Sequence, residues 1–212
     1  MKQLLILLFP LFCLNTVLSQ NFTKEDVIEI KSILQKGAKL QYDEHAGIIW
    51  VKSKPIDIIR STSLEPNSST MSIYFGLTKI NGEIRVLPLR ITNELILNDW
   101  LFFEDISFLY GTLKDKKEGT REQFSMGAGE TKRVVRGSVY VSEKSDVIMN
   151  SDMKELIIKM IENPKPLSIR YQSKDTSIEK FYALGLKAFN NKFRAVMDTY
   201  EKAVVKFKFV TD

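Results

Sequence analysis

Cysteine and histidine are nearly absent: the 212 residues hold one of each, Cys13 and His45. One cysteine cannot close an internal disulfide, so stability has to come from a packed core. The same scarcity excludes the usual zinc constellation, which draws several ligands from Cys and His. It also leaves His45 as the only imidazole base for a nucleophilic hydrolase. His45 stands in Tyr42-Asp43-Glu44-His45, a polar stretch that reads as surface and carries no triad motif. Gly127-Ala128-Gly129 lacks the third glycine of a dinucleotide fingerprint and the trailing lysine of a phosphate loop. No metal or cofactor is expected. Low-complexity tracts and repeats of fixed period are missing as well.

The one long apolar run lies at the start. Lys2 precedes Leu4 to Leu18, and Val17 and Ser19 occupy the minus-three and minus-one positions of a cleavage site between Ser19 and Gln20, the layout of a secretory signal peptide. A membrane anchor is the competing reading, but Pro10 and Asn15 break the run, which is shorter than the roughly 20 residues of a span. A lipoprotein cut before Cys13 would want a small residue where Phe12 stands. The expectation is a signal over 1–19 and a single exported domain over 20–212, without a transmembrane segment. Its destination is the periplasm, the cell surface or the medium. Cleavage would remove the only cysteine, a composition that suits a bacterial envelope. It would also lower the formal net charge of +5 by one, through Lys2. Acidic and basic residues, 26 against 31, are interspersed along the chain and read as a solvated surface.

The rest predicts an α+β fold, an antiparallel β-sheet or β-sandwich with helices packed on it, including a long C-terminal amphipathic helix. Leu167, Ile169 and Tyr171 alternate with Ser168, Arg170 and Gln172, the period of a half-buried strand. Between Leu184 and Val204, residues Leu186, Phe189, Phe193, Val196, Met197, Tyr200 and Val204 share one helical face, which needs a sheet to cover it. Thr23 and Asp26 form a capping-box pattern for a helix over 21–36 that Gly37 can end, with a stripe of Val27, Ile30, Ile33 and Leu34. Residues 47–51 read as a strand bounded by Pro55, and 61–70 as a loop. Met71 to Asn93 reads as a hairpin about Asn81-Gly82, with Pro88 placing the returning strand at an edge or bulge. Residues 99–113 read as a strand covered on both faces and interrupted by Glu104 and Asp105. A charged loop over 114–122, a turn at 126–129 and a strand over 134–141 follow. Asp152 is expected to cap a helix with stripe Met153, Leu156, Ile157, Met160 and Ile161, ending before Pro164, and 205–210 to add a last strand.

Candidate chemistry is sparse, and no catalytic residue is assigned. Glu104 and Asp105 are the one carboxylate pair placed to be desolvated, but neighbours on a strand face opposite ways unless the strand is bulged. Arg133 and Arg136, beside Lys132, and Arg170 on the wet face of its strand form a candidate ligand set, because arginine forks clasp carboxylate, sulfate or phosphate. Charges that discourage edge pairing give the same pattern. Basic and aromatic residues interleave from Phe189 to Phe209, but those aromatics belong to the apolar stripe, so nucleic acid is not an expected partner.

The segment Pro166-Leu-Ser-Ile-Arg-Tyr171, a polar turn and a helix reaching Tyr200-Glu-Lys-Ala203, with a leader ending Leu18-Ser-Gln20, resembles small uncharacterised exported proteins of Bacteroidetes-type bacteria. The resemblance covers the last quarter of the chain and implies export and a strand–helix ending. The reading reached is an exported, non-catalytic binding or envelope-associated protein, partnered by an anionic ligand or an envelope component. The alternative is a carboxylate-dependent hydrolase of an envelope or extracellular polymer, which needs two carboxyl groups roughly 5 to 10 Å apart in a cleft.

Overall fold

A computed structural model describes residues 21–60, 68–137, 140–173, 179–184 and 186–210. The chain is α+β. It runs through α1 (Lys24–Ile33), β1 (Lys39–Asp43), β2 (Ile48–Lys52), β3 (Ile56–Arg60), β4 (Ser68–Ile80), β5 (Glu83–Val86), β6 (Arg90–Leu97) and β7 (Phe103–Tyr110). There follow α2 (Leu113–Lys117), β8 (Glu122–Gly127), β9 (Thr131–Arg136), β10 (Tyr140–Ile148), α3 (Ser151–Glu162), β11 (Leu167–Ser173), β12 (Glu179–Leu184), α4 (Leu186–Lys206) and β13 (Lys208–Phe209). The strands join in one sheet, ordered β8-β7-β11-β12-β3-β4-β6-β10-β9, with β1-β2 and β5-β13 flanking the far half of β4. The strand pairs are antiparallel except β13 with β5.

The long strand β4 is the axis, and the hairpin at its end is the one the sequence predicts. Asn81 and Gly82 adopt φ of 52° and 82°, the two left-handed positions of a type I′ turn, and Ile80 pairs Glu83. Each flank of β4 is a nearly continuous strand with a one-residue slip. On one side Leu77 pairs Val86 but Tyr74 pairs Arg90, so Pro88 sits in a bulge. On the other, Lys52 pairs Tyr74 but Ile56 pairs Met71, so Lys54-Pro55 forms a second bulge. Both prolines stand where the ladder asks for no N–H. As expected from the sequence, β2 ends before Pro55, and β3 starts just after it at Ile56.

The sheet must curl. Five strand spacings separate β6 from β7, about 24 Å if flat, yet only residues 98–102 join them, a reach of about 20 Å. The hydroxyls of Ser69 on β4 and Tyr171 on β11 meet at 2.6 Å across the curl. On its concave side α4 packs against β4, with the rings of Phe75 and Tyr200 edge to face at 5.1 Å and Phe193, Val196 and Ala203 fully buried. All five residues of the predicted α3 stripe are buried there as well. Thr199 ties the link after α1 to α4: its hydroxyl donates to Ala195 O at 2.6 Å and accepts from Gln35 N at 3.0 Å.

Several local expectations are corrected. Residues 68–70 begin β4, whereas 61–67 of the expected loop lie outside the described residues. Part of the charged segment is helical: Thr112 and Asp115 cap α2 reciprocally. Residues 122–127 are strand, so the turn begins only at Ala128. The strand expected over 134–141 is instead the hairpin β9–β10, turning at Gly137 with φ of 65°. Asn150, not Asp152, accepts the Met153 N–H as N-cap of α3. Residues 99–102 precede β7 rather than belong to it. In α4 the buried face passes through Ala203 to Phe207, leaving Val204 and Val205 exposed, and only 208–209 form a strand beyond it. Leu184 belongs to β12, while Leu186 and Phe189 have side chains outside those described.

Helix α1 is held by one carboxylate with two tasks. Asp26 accepts the Thr23 N–H at 2.6 Å, completing the capping box, and the ammonium of Lys79 from β4 at 2.6 Å. Burial pushes the Asp26 carboxyl up, but the hydrogen bonds from Lys79 and Thr23 together hold it below the usual range. A folded value below the unfolded one means that the stabilisation is complete above the ordinary carboxylate pKa and is lost as pH falls through the folded value. Asp26→Asn should therefore lower the urea midpoint at pH 7, and its deficit should shrink as pH drops below about 4. Urea unfolding of both proteins across that range measures this.

Candidate functional site

The bulge at Lys54-Pro55 opens a gap in the sheet. Pairing of β1 with β2 stops at Lys39–Lys52, and pairing of β12 with β3 begins at Ile58, so among the described residues no strand pairs with the outer edge of 53–57. Facing that gap are α4 and the link from α1 to β1. Gly37, at φ of 114°, lets the link turn sharply, because side chains rarely tolerate that conformation. The result is an open cleft of about 550 Å³.

Its charged lining is one-sided. Lys36, Lys54, Lys192 and Arg194 contribute cations, and Asp198 is the one carboxylate among the described lining residues. Lys192 Nζ donates to Pro55 O at 2.9 Å, fastening α4 to the bulge. Arg194 Nη2 donates to Ile161 O at 2.9 Å, meeting an unpaired carbonyl in the last turn of α3. Lys36 and Lys54 are exposed and form no ion pair among the described residues. Such a cleft can attract and hold an anion. Among the described residues no three of His, Cys, Asp and Glu are placed to hold a metal ion.

The arginines singled out in the sequence are not brought together. Arg133 and Arg136 occupy opposite faces of β9, as their odd spacing requires. Arg133 Nε lies 3.3 Å from Glu143 Oε2, and its guanidinium covers the Phe102 ring at 5.1 Å. Arg136 Nη2 bonds Glu94 Oε1 at 2.5 Å, which the Ser142 hydroxyl also reaches. Arg170 is half-buried on β11, six strand spacings from β9. Glu104 and Asp105 are both exposed, where the β7–β11 register slips. His45 is exposed in the turn between β1 and β2, and Ser19 and Gln20 lie outside the described residues.

The cleft residues were not singled out from sequence. Lys192 and Arg194 were legible only as the wet side of a helix, and no spacing joins them to Lys36 or Lys54.

Glu143 has a different task. It is fully buried and accepts the N–H groups of Leu101 at 2.6 Å and Phe102 at 2.9 Å, holding Phe102 at φ of 51° with its ring exposed. Glu143→Ala should cost about 2 to 3 kcal/mol by stranding those N–H groups, and Glu143→Gln, which keeps an acceptor, should cost less. Urea unfolding checks the ranking.

Compared with protein-family models, curated proteins and solved structures, the chain matches none.

Proposed function

We propose that this is an exported, non-catalytic binding protein whose basic cleft takes an anionic ligand of the envelope or its surroundings. The observation that carries the reading is the convergence of Lys36, Lys54, Lys192 and Arg194 on one cleft, with Asp198 the one carboxylate among its described lining residues. Their setting is an open groove bounded by a sheet edge and a helix, accessible to a chain-like anion. Attraction of this kind is screened by salt over about 8 to 10 Å at ordinary ionic strength. Support for export comes from the leader pattern ending at Ser19-Gln20 and from the lack of cysteine after Cys13. Among the described residues no helix is long and apolar enough to cross a membrane.

Chromatography of residues 20–212 on immobilised heparin, a polyanionic saccharide probe, tests the cleft. Lys36→Gln with Lys54→Gln should elute at clearly lower salt than the parent, while Lys116→Gln with Lys117→Gln on α2 should not. Equal shifts for both pairs would mean that general charge alone is being read. Export is checked separately by N-terminal sequencing of the protein from envelope and medium fractions of a bacterial host, which should begin at Gln20.

A further inference from the structure

The face of the sheet turned away from the helices holds a second hollow, of about 390 Å³. Antiparallel register lays out its floor. Tyr74 lies between Lys52 and Arg90 in one row, and Thr92 between Ser72 and Asp146 in the next. In the row beyond, Glu94 is paired with Lys144. The hydroxyls of Ser72 and Thr92 join at 2.6 Å, and the Trp50 ring meets that of Tyr74 edge to face at 5.3 Å to form a wall.

Its acidic groups are already occupied. Asp146 accepts from the Tyr74 hydroxyl at 2.5 Å and from Arg90 Nε at 2.8 Å, while Arg90 Nη2 bonds the Asp146 backbone carbonyl at 3.1 Å. Burial, followed by the hydrogen bond to Asp146, pushes the Tyr74 hydroxyl well above its usual range, so it stays a proton donor to the carboxylate. Glu94 is taken by Arg136 and Ser142. Lys52 and Lys144 line the hollow without an ion-pair partner among the described residues. The Lys52 ammonium donates to Gln41 Oε1 at 3.0 Å and lies 5.7 Å from the centroids of both Trp50 and Tyr74.

We infer that this hollow is a binding site for a small oxyanion, carboxylate or phosphate, held between the ammonium groups of Lys52 and Lys144 over the Ser72 and Thr92 hydroxyls. Two like charges face one polar floor, and the carboxylates nearby are spent on other donors. An oxyanion there accepts from both ammonium groups and from a hydroxyl, and it relieves their repulsion. The volume is that of a pocket for a small molecule, so the body of a sugar acid or sugar phosphate can lie along Trp50. Burial and then the charge of Lys144 lower the Lys52 pKa, against the opposing pull of Asp146 and Asp43. Affinity is therefore expected to fall as pH rises through that lowered value, and binding to draw a proton onto Lys52. The site shares no lining residue with the basic cleft, so either can fail alone.

The test uses residues 20–212 carrying Trp100→Phe, so that the indole signal belongs to Trp50. Titration with glucuronate, glucose 1-phosphate, inorganic phosphate and neutral glucose should give a saturable change in fluorescence with at least one acidic probe and none with glucose. Preference for glucose 1-phosphate over inorganic phosphate would identify a sugar-borne group, and equal affinity a free anion. Lys52→Gln and Lys144→Gln should each weaken binding by about tenfold or more, and Lys52→Arg with Lys144→Arg should retain it. Near-UV circular dichroism and unchanged heparin retention establish that the glutamine variants remain folded. The inference is overturned if no acidic probe saturates, if glucose responds equally, or if the glutamine variants bind like the parent.

Discussion

The contact between the concave face of β4 and helix α4 governs the rest. Met71, Ile73, Phe75 and Leu77 point one way along β4 and are buried; Tyr200 of α4 meets Phe75 edge to face, and Phe193, Val196 and Ala203 of α4 are fully buried in the same core. Burying a large apolar side chain contributes roughly 1.5 to 3 kcal/mol, so this seam outweighs any single polar tie in the molecule. It also fixes where α4 presents its other side. Lys192, Arg194 and Asp198 face the gap in the sheet because the residues interleaved with them are committed to the core.

The second organising feature is how charge is spent. Many carboxylates are matched to a cation that holds two elements together. Asp26 with Lys79 fastens α1 to β4, Asp146 with Arg90 joins β10 to β6, and Glu143 with Arg133 joins β10 to β9. At the α2 turn, hydrogen bonds from Thr112 and then Lys165 hold the Asp115 carboxyl far below its usual range, tying that turn to the approach of β11. Glu122 on β8 pairs with Lys159 of α3. These pairings leave Lys52, Lys144, Lys36 and Lys54 without an ion-pair partner among the described residues, which a small overall excess of positive charge does not foretell. The two hollows lie on either side of the Lys52–Pro55 kink, one toward the helices and the other toward solvent.

Local periodicity was a good guide wherever one face of an element is buried. The alternation of Leu167, Ile169 and Tyr171, the α3 stripe and the Asn81-Gly82 turn all appear in the structure as expected. It misled where an apolar run bends. Trp100 to Phe103 reads as strand, but the Glu143 carboxylate, 42 residues away from Leu101, captures two of its N–H groups and bends the backbone at Phe102. Gly137 in an apolar stretch reads as a strand interior, whereas its left-handed conformation makes the β9–β10 turn. The arginines of β9 look like one cluster along the chain, yet the pleat sends Arg133 and Arg136 to opposite faces, and Glu143 and Glu94 bind them there.

By itself the sequence determined the α+β class, the hairpin, the capping of α1 and the need of α4 for a sheet. Each is a property of residues within a few positions of one another, set by backbone sterics and side-chain parity. Only the tertiary structure decided which cations face a common space. Lys36, Lys54 and Lys192 line one cleft because the bulge at Lys54-Pro55 interrupts the strand pairing beside β4 and α4 packs across that gap, and strand pairing over long separations leaves no periodic trace in the chain.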